Sequence, residues 1–264
     1  MRALIKRLVG RTIFESHLDA VLLRNSAVIV TFHRVQDTAA AEGLTVGVRL
    51  FEEYCRFFKR HFKVVPLARL VDKLEQGTSL NRELAITFDD GYRDNFDYAA
   101  PVLEKLGLPA TFFIVTQWIG TEVVPWWDRD EGVRYPWMTW DQVRSLHERG
   151  FEFGAHTRTH VDLGAVTDME AHEEILGARR ELEERLGKPA QMFAYPYGRL
   201  TNLADANRRL IRGAGFRCCC SCFGGVIDGT TDPFHLRRVP ISSRYPSPSQ
   251  FGFEVALGRS IQAA

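Results

Sequence analysis

Leu84-Ala85-Ile86-Thr87-Phe88-Asp89-Asp90-Gly91 carries an apolar, β-branched run directly into two carboxylates and a glycine. A run without polar alternation reads as a strand covered on both faces, the mark of a parallel sheet. Asp-Asp-Gly is a good turn in its own right, because Asp accepts backbone hydrogen bonds and Gly tolerates positive φ. The end of a parallel strand is also where barrel enzymes keep their catalytic groups.

The same rhythm extends to both sides. Ala27–Phe32 and Ala110–Val115 are further strands, and Leu50–Arg60, Leu67–Glu75 and Asn95–Leu106 have helical periodicity, the last stopping at Gly107. A long loop, Gln117–Thr139, precedes a helix over Gln142–Arg149 capped by Thr139 or Asp141, and the strand Phe151–Ala155 follows. Asp168–Leu186 is a charged helix ended by Gly187-Lys188-Pro189, with later strands at Gln191–Tyr195, Phe216–Phe223 and Leu236–Ile241. Alternation of this kind predicts an α/β fold, a distorted and incomplete (β/α) barrel with about seven parallel strands. Residues 2–24 read as one amphipathic helix, which divides the chain into an N-terminal helix at 1–26 and a catalytic domain at 27–264.

With 34 basic against 33 acidic side chains, the net charge of +1 provides no field for a polyanion, so nucleic acid is excluded as a partner and a weakly charged substrate is expected. Five cysteines, four of them within Cys218–Cys222, do not form a disulfide framework and point to a reducing, cytoplasmic setting, with the cluster packed in a buried strand. The N-terminal helix carries Arg2, Lys6, Arg7 and Arg11, without a signal-peptide core. It either packs on the barrel or lies on an anionic membrane surface, which would place the protein at the inner face of the membrane. The oligomeric state is not encoded in any pattern of the chain.

His156-Thr157-Arg158-Thr159-His160 follows directly on Phe151–Ala155. On a helical turn, two histidines four apart face the same way and can share one ion. With a carboxylate from Asp89-Asp90 they make three protein ligands and leave a position for water, the pattern of a hydrolytic metal site. Neighbouring carboxylates diverge, so one can bind the ion while the other accepts a proton. Zinc is the default, but this donor set also suits iron, cobalt, nickel or manganese. All five tryptophans lie between 118 and 140, and one or two, Trp127 among them, are expected to line a binding groove with their flat faces.

Thr87–Gly91 and His156–His160, in this order and spacing, resemble the first two signature motifs of the polysaccharide deacetylases, carbohydrate esterase family four. The resemblance runs from about Val28 to Ser242. It implies removal of N-acetyl groups from a glycan, with Asp89 as base and Asp90, His156 and His160 as metal ligands. Phe193-Ala194-Tyr195-Pro196-Tyr197-Gly198 is similar to the family's Arg-x-Pro-Tyr-Gly segment, which makes Pro196 and Gly198 part of the groove wall and the Tyr197 N–H an oxyanion donor. Ala194 stands where that motif has the arginine that orients the base, and Arg238 is the candidate to take over this support of Asp89 at the groove. Thr31-Phe32-His33-Arg34-Val35 resembles a segment of the branch acting on poly-N-acetylglucosamine, which implies His33 as catalytic acid in place of a late histidine such as His235. The substrate expected is an N-acetylated polysaccharide or lipid-linked glycan precursor. Two alternatives stay open: an inactive carbohydrate-binding protein on the same barrel, and an O-acetyl esterase or non-sugar amidase with the same core.

Overall fold

The computed structural model describes residues 2–37, 43–242 and 245–258. Strand β1 (Ser26–Phe32) is preceded by α1 (Arg2–Glu15) and the short α2 (Asp19–Leu22). The single helix expected over 2–24 is therefore broken, with His17 at φ 60° reversing the chain between the two pieces. The apolar period runs across the break because Leu18, Val21 and Leu22 are exposed rather than part of one buried stripe.

Two short strands, β2 (Arg34–Gln36) and β3 (Thr45–Gly47), pair beside the end of β1 and lead into α3 (Val48–His61). Next come β4 (Lys63–Val64), α4 (Leu67–Glu75) and β5 (Glu83–Phe88). A π-helical turn, Asn95–Ala99, opens α5 (Ala100–Leu106), which Gly107 ends at φ 64°. The chain continues through β6 (Thr111–Ile114), α6 (Trp126–Asp130), α7 (Trp140–Glu148) and β7 (Glu152–Ala155). Thr139 caps α7 by a reciprocal box with Gln142, and Thr167 does the same with Glu170 for α8 (Asp168–Leu186). The remaining elements are β8 (Met192–Ala194), α9 (Asp205–Gly213), β9 (Cys218–Cys220), β10 (Ile227–Asp228), β11 (Val239–Pro240) and α10 (Pro248–Leu257).

The sheet follows the order β10-β1-β5-β6-β7-β8-β9, curled into a half-barrel whose strands are parallel except for β10. The stretch 236–241 bridges its open side. Leu236 N–H donates to Cys219 C=O at the β9 edge, and Ile241 N–H donates to Thr31 C=O at β1. Only Val239–Pro240 of the expected strand Leu236–Ile241 is regular, because each end of the segment pairs with a different strand.

Strand alternation sorts the core into two regions. Val28, Val30 and Phe32 of β1 and Leu84, Ile86 and Phe88 of β5 face outward onto the helices. Ala27, Ile29, Ala85, Phe113, Ala194, Cys218, Cys220 and Leu236 fill the interior, where α4 plugs the end at which the strands begin. Glu152, at the start of β7, accepts from the Leu67 and Ala68 amides at the N-terminus of α4 and holds the plug there. Continuing the inward column towards the other end gives Thr31 near the end of β1 and His33 just after it, and Thr87 near the end of β5 and Asp89 just after it. Phe14 of α1 packs against Phe57 and Phe62, at the end of the barrel away from these residues.

Candidate active site and metal centre

At the end of β5, Asp90 has φ 75° and Gly91 φ 93°. The left-handed φ of Gly91 is what favours glycine at this turn, and a Cβ there would also crowd Ile119 Cδ1 at 2.9 Å. The turn aims consecutive carboxylates at different partners: Asp89 faces Arg238, and Asp90 faces the two imidazoles.

Asp90 Oδ1 lies 3.4 Å from His156 Nε2 and 3.3 Å from His160 Nε2. All three side chains are buried, and Asp90 Oδ1 has no hydrogen-bond partner among the described residues. Such an orphaned acceptor is costly unless a cation satisfies it. His156 Nδ1 donates to the Ala194 carbonyl at 2.8 Å, which fixes the ring and leaves Nε2 to face Asp90. Burial pushes the Asp90 carboxyl up, but His156 and His160 outweigh it and hold it well below the usual carboxylate range. The donor set fits a divalent ion with an open coordination position.

The histidines meet without the expected helical turn. Thr157 and His160 both have positive φ, 62° and 61°, and the loop spends its amides on neighbours. Arg158 N–H and Thr159 N–H donate to the Glu174 carboxylate of α8, and His160 N–H donates to Thr157 Oγ1. Helical spacing alone carries no information about this outer carboxylate.

Arg238 is fully buried and makes a bidentate pair with Asp89, with Nη1 to Oδ1 and Nη2 to Oδ2 both at 2.7 Å. Its Nη1 also donates to the hydroxyls of Thr31 and Thr87. Ala194 sits in the same inward layer with no side chain to reach Asp89, and the segment closing the barrel supplies the guanidinium instead. Arg238 thus pairs with Asp89 as expected of a replacement for the motif arginine, but it does not line the cavity and so has no place against a substrate. Burial raises the Asp89 carboxyl and Arg238 more than offsets this, so Asp89 is ionised at neutral pH.

His33 Nε2 stands 4.0 Å from Asp89 Oδ2. Burial lowers its pKa despite the nearby Asp90 and Asp89 carboxylates. His235 is elsewhere, half-exposed beside Asp232 and lining a separate cavity.

These groups open into a cavity of about 410 Å³ whose apolar rim includes Leu44, Trp126, Trp127, Tyr197 and Ile241. Of the five tryptophans, Trp126 and Trp127 line it, while Trp118 and Trp137 are buried beside Tyr92 and Val115. Tyr197 has φ 59°, and its N–H donates to no group among the described residues. Pro196 and Gly198 do not line the cavity but form the turn that presents Tyr197. A Cβ on Gly198 would come within 2.2 Å of the Cys222 nitrogen, so the turn is pressed against the loop after β9. Cys218, Cys219 and Cys220 are buried on β9 as expected for packing, but Cys222 faces the cavity.

One part of the site has no local signature. Arg34, 1% exposed, pairs with Asp128 of α6, and Asp128 Oδ2 accepts from Tyr92 Oη at 3.1 Å. Tyr92 Oη in turn accepts from Trp127 Nε1 at 3.0 Å, and Trp127 packs edge-on against His160 with centroids 4.9 Å apart. The pair thus ties the aromatic wall to the strand end that carries His33. Its members are 94 residues apart, so only the sequence position of Arg34 beside His33 hints at it. Asp128→Ala takes the close carboxylate from a buried guanidinium, leaving it the longer contact to Glu131 at 3.8 Å and the Thr45 hydroxyl, and is expected to cost about 3 kcal/mol. Calorimetry should show a Tm lowered by on the order of 10 °C.

The polysaccharide deacetylase profile matches residues 76–218, more than half of the chain. A Bacillus subtilis protein named as a polysaccharide deacetylase, YxkH, is 29% identical over 167 residues, 63% of this chain and 54% of that one. The chain thus spans about half the length of that relative. The poly-beta-1,6-N-acetyl-D-glucosamine N-deacetylase of Staphylococcus aureus is 23% identical over 241 residues, covering 83% of this chain and 79% of the relative. Among solved structures, IcaB from Ammonifex degensii superposes with a TM-score of 0.72 at 21% identity, over 88% of this chain and 98% of its own. The Streptococcus pyogenes deacetylase PplD gives 0.72 at 20% identity, over 86% and 97%. These two likenesses are ones of fold.

Proposed function

The chain belongs to the polysaccharide deacetylase family, and from that premise we propose that it is a metal-dependent enzyme removing N-acetyl groups from an N-acetylglucosamine polymer or glycan precursor. The observation that carries this reading is the convergence of buried Asp90, His156 and His160 on one point, with Asp89 and His33 beside it.

Asp90, His156 and His160 would hold a divalent ion, which would supply Lewis acidity towards the acetamide carbonyl and ease loss of a proton from the attacking water. Asp89, fixed by Arg238, takes the proton of the attacking water. The Tyr197 N–H, which donates to no group among the described residues, would donate to the developing oxyanion. His33, kept neutral by burial, takes the proton over from Asp89 and delivers it to the departing amine, releasing acetate and a free amino sugar. The apolar rim with Trp126, Trp127 and Tyr197 suits the flat faces of sugar rings. The reading of an inactive binder drew its support from Ala194, and the Arg238–Asp89 pair removes that support. Release of acetate from β-1,6-linked N-acetylglucosamine oligomers, followed by mass spectrometry of the products, tests the function. Metal-loaded protein that leaves these and other N-acetylated oligomers unchanged would contradict it.

No helix among the described residues is long and apolar enough to cross a membrane. Peripheral membrane contact is favoured by α1, where Leu4, Ile5 and Leu8 are 60%, 51% and 57% exposed, beside exposed Arg7 and Arg11. Because α1 packs at the barrel end away from Asp90, the groove would face away from the bilayer. Cosedimentation with vesicles containing anionic lipid, lost on Leu4→Glu/Leu8→Glu, is the expected outcome.

A further inference from the structure

Cys222, His33 and Asp89 form a second group of potential ligands. Their donor atoms, Cys222 Sγ, one imidazole nitrogen and one carboxylate oxygen, lie within 4.8 Å of one another. Donor atoms around a tetrahedral zinc stand roughly 3.3–3.8 Å apart, so the trio need close by only about an ångström. Nothing in the reaction described above uses a thiol. Cys222 is nevertheless held over the site: its N–H donates to the Gly198 carbonyl at 2.9 Å, which ties the thiol to the turn that presents Tyr197. Arg238 occupies one lone pair on each oxygen of Asp89, and each oxygen keeps another for a cation.

We propose that Cys222, His33 and Asp89 form a second, inhibitory site for a thiophilic divalent cation, distinct from Asp90, His156 and His160. The thiolate selects the ion: a soft donor beside an imidazole and a carboxylate favours zinc or cadmium over magnesium, calcium or manganese. Binding releases the thiol proton to solvent and leaves a metal–sulfur bond, with no change of oxidation state. Burial pushes the Cys222 thiol up to about 12, so it is protonated at neutral pH and is a poor target for oxidation, whereas a metal can ionise it. Occupancy ties up both the carboxylate that must accept the water proton and the imidazole that must deliver one, so this cation and turnover exclude each other. The inhibition rests on the roles proposed for Asp89 and His33, but the binding does not.

The test is a cadmium titration of protein already holding one equivalent of cobalt or zinc, followed by ultraviolet absorbance and by acetate release. The Asp90 centre contains no sulfur, so a cadmium–thiolate charge-transfer band can arise only from a cysteine site. The expected result is a band that grows over the second equivalent while activity falls at least tenfold. In Cys222→Ser the band is absent, and the cadmium needed for half-inhibition rises by about tenfold or more, since even outer partners of a metal ligand are worth 10–100-fold in affinity. A second equivalent bound without the band, or a band retained in Cys222→Ser, would overturn the site. A Cys222-dependent band with unchanged activity would overturn the inhibition alone. Protein that never releases acetate would count against the proposed function, while the band still decides the site.

Discussion

Replacing Asp89 by asparagine is expected to lower kcat/KM for acetate release by about 10²–10⁴-fold, the range for loss of a positioned general base. The metal content should stay at about one ion per chain, because Asp90, His156 and His160 are untouched and Asp89 is turned towards Arg238. Asparagine keeps the shape of the side chain and an acceptor for one guanidinium nitrogen, so the barrel interior stays filled. A variant that kept its metal and full activity would exclude Asp89 as base. One that lost metal along with activity would make Asp89 a ligand, against the geometry of the turn at Asp90.

Arg238→Met has the second large effect, and it separates two roles. Methionine fills the interior next to Phe113 but leaves Asp89 as a buried carboxylate without its partner. Breaking such a pair costs about 3–5 kcal/mol of stability. Displacement of the base should lower kcat by on the order of 10²-fold. The pH profile carries the distinguishing signal. Arg238 holds the Asp89 carboxyl below its ordinary value against the opposing effect of burial. With the guanidinium gone, only His156 and His33 still oppose burial, the Asp89 carboxyl rises, and the acid limb of kcat/KM moves to higher pH. A destabilised variant with an unmoved acid limb would make Arg238 a structural residue only.

The parts of this protein that were legible in its sequence are those set by local periodicity. The limits of α4, Leu67–Glu75, and α8, Asp168–Leu186, coincide with the apolar period and its Gly and Pro stops. The strand ends that carry His33, Asp89 and His156 could be read for the same reason, since each apolar run stops where polar groups begin. What could not be read depends on tertiary closure. Val239–Pro240 is all that is regular in Leu236–Ile241, because the segment spans the gap between β9 and β1; the missing arginine at Ala194 points to Arg238 as partner of Asp89, but not to the closure that delivers it. The break at His17 and the positive φ of Thr157 and His160 are loop conformations that no apolar period encodes. Arg34 and Asp128 meet only because α6 folds back over the barrel, and Cys222 leaves the packing expected of Cys218–Cys222 because β9 ends two residues before it.

The central claim is that Asp90, His156 and His160 hold the ion on which deacetylation depends. The most direct measurement is acetate release from N-acetylglucosamine oligomers by chelator-stripped protein as cobalt is added back up to one equivalent. Activity absent at zero metal, rising in proportion and levelling at one equivalent in wild type but not in His156→Ala, is the predicted result. Full activity in the stripped protein, or the same recovery in His156→Ala, would contradict it.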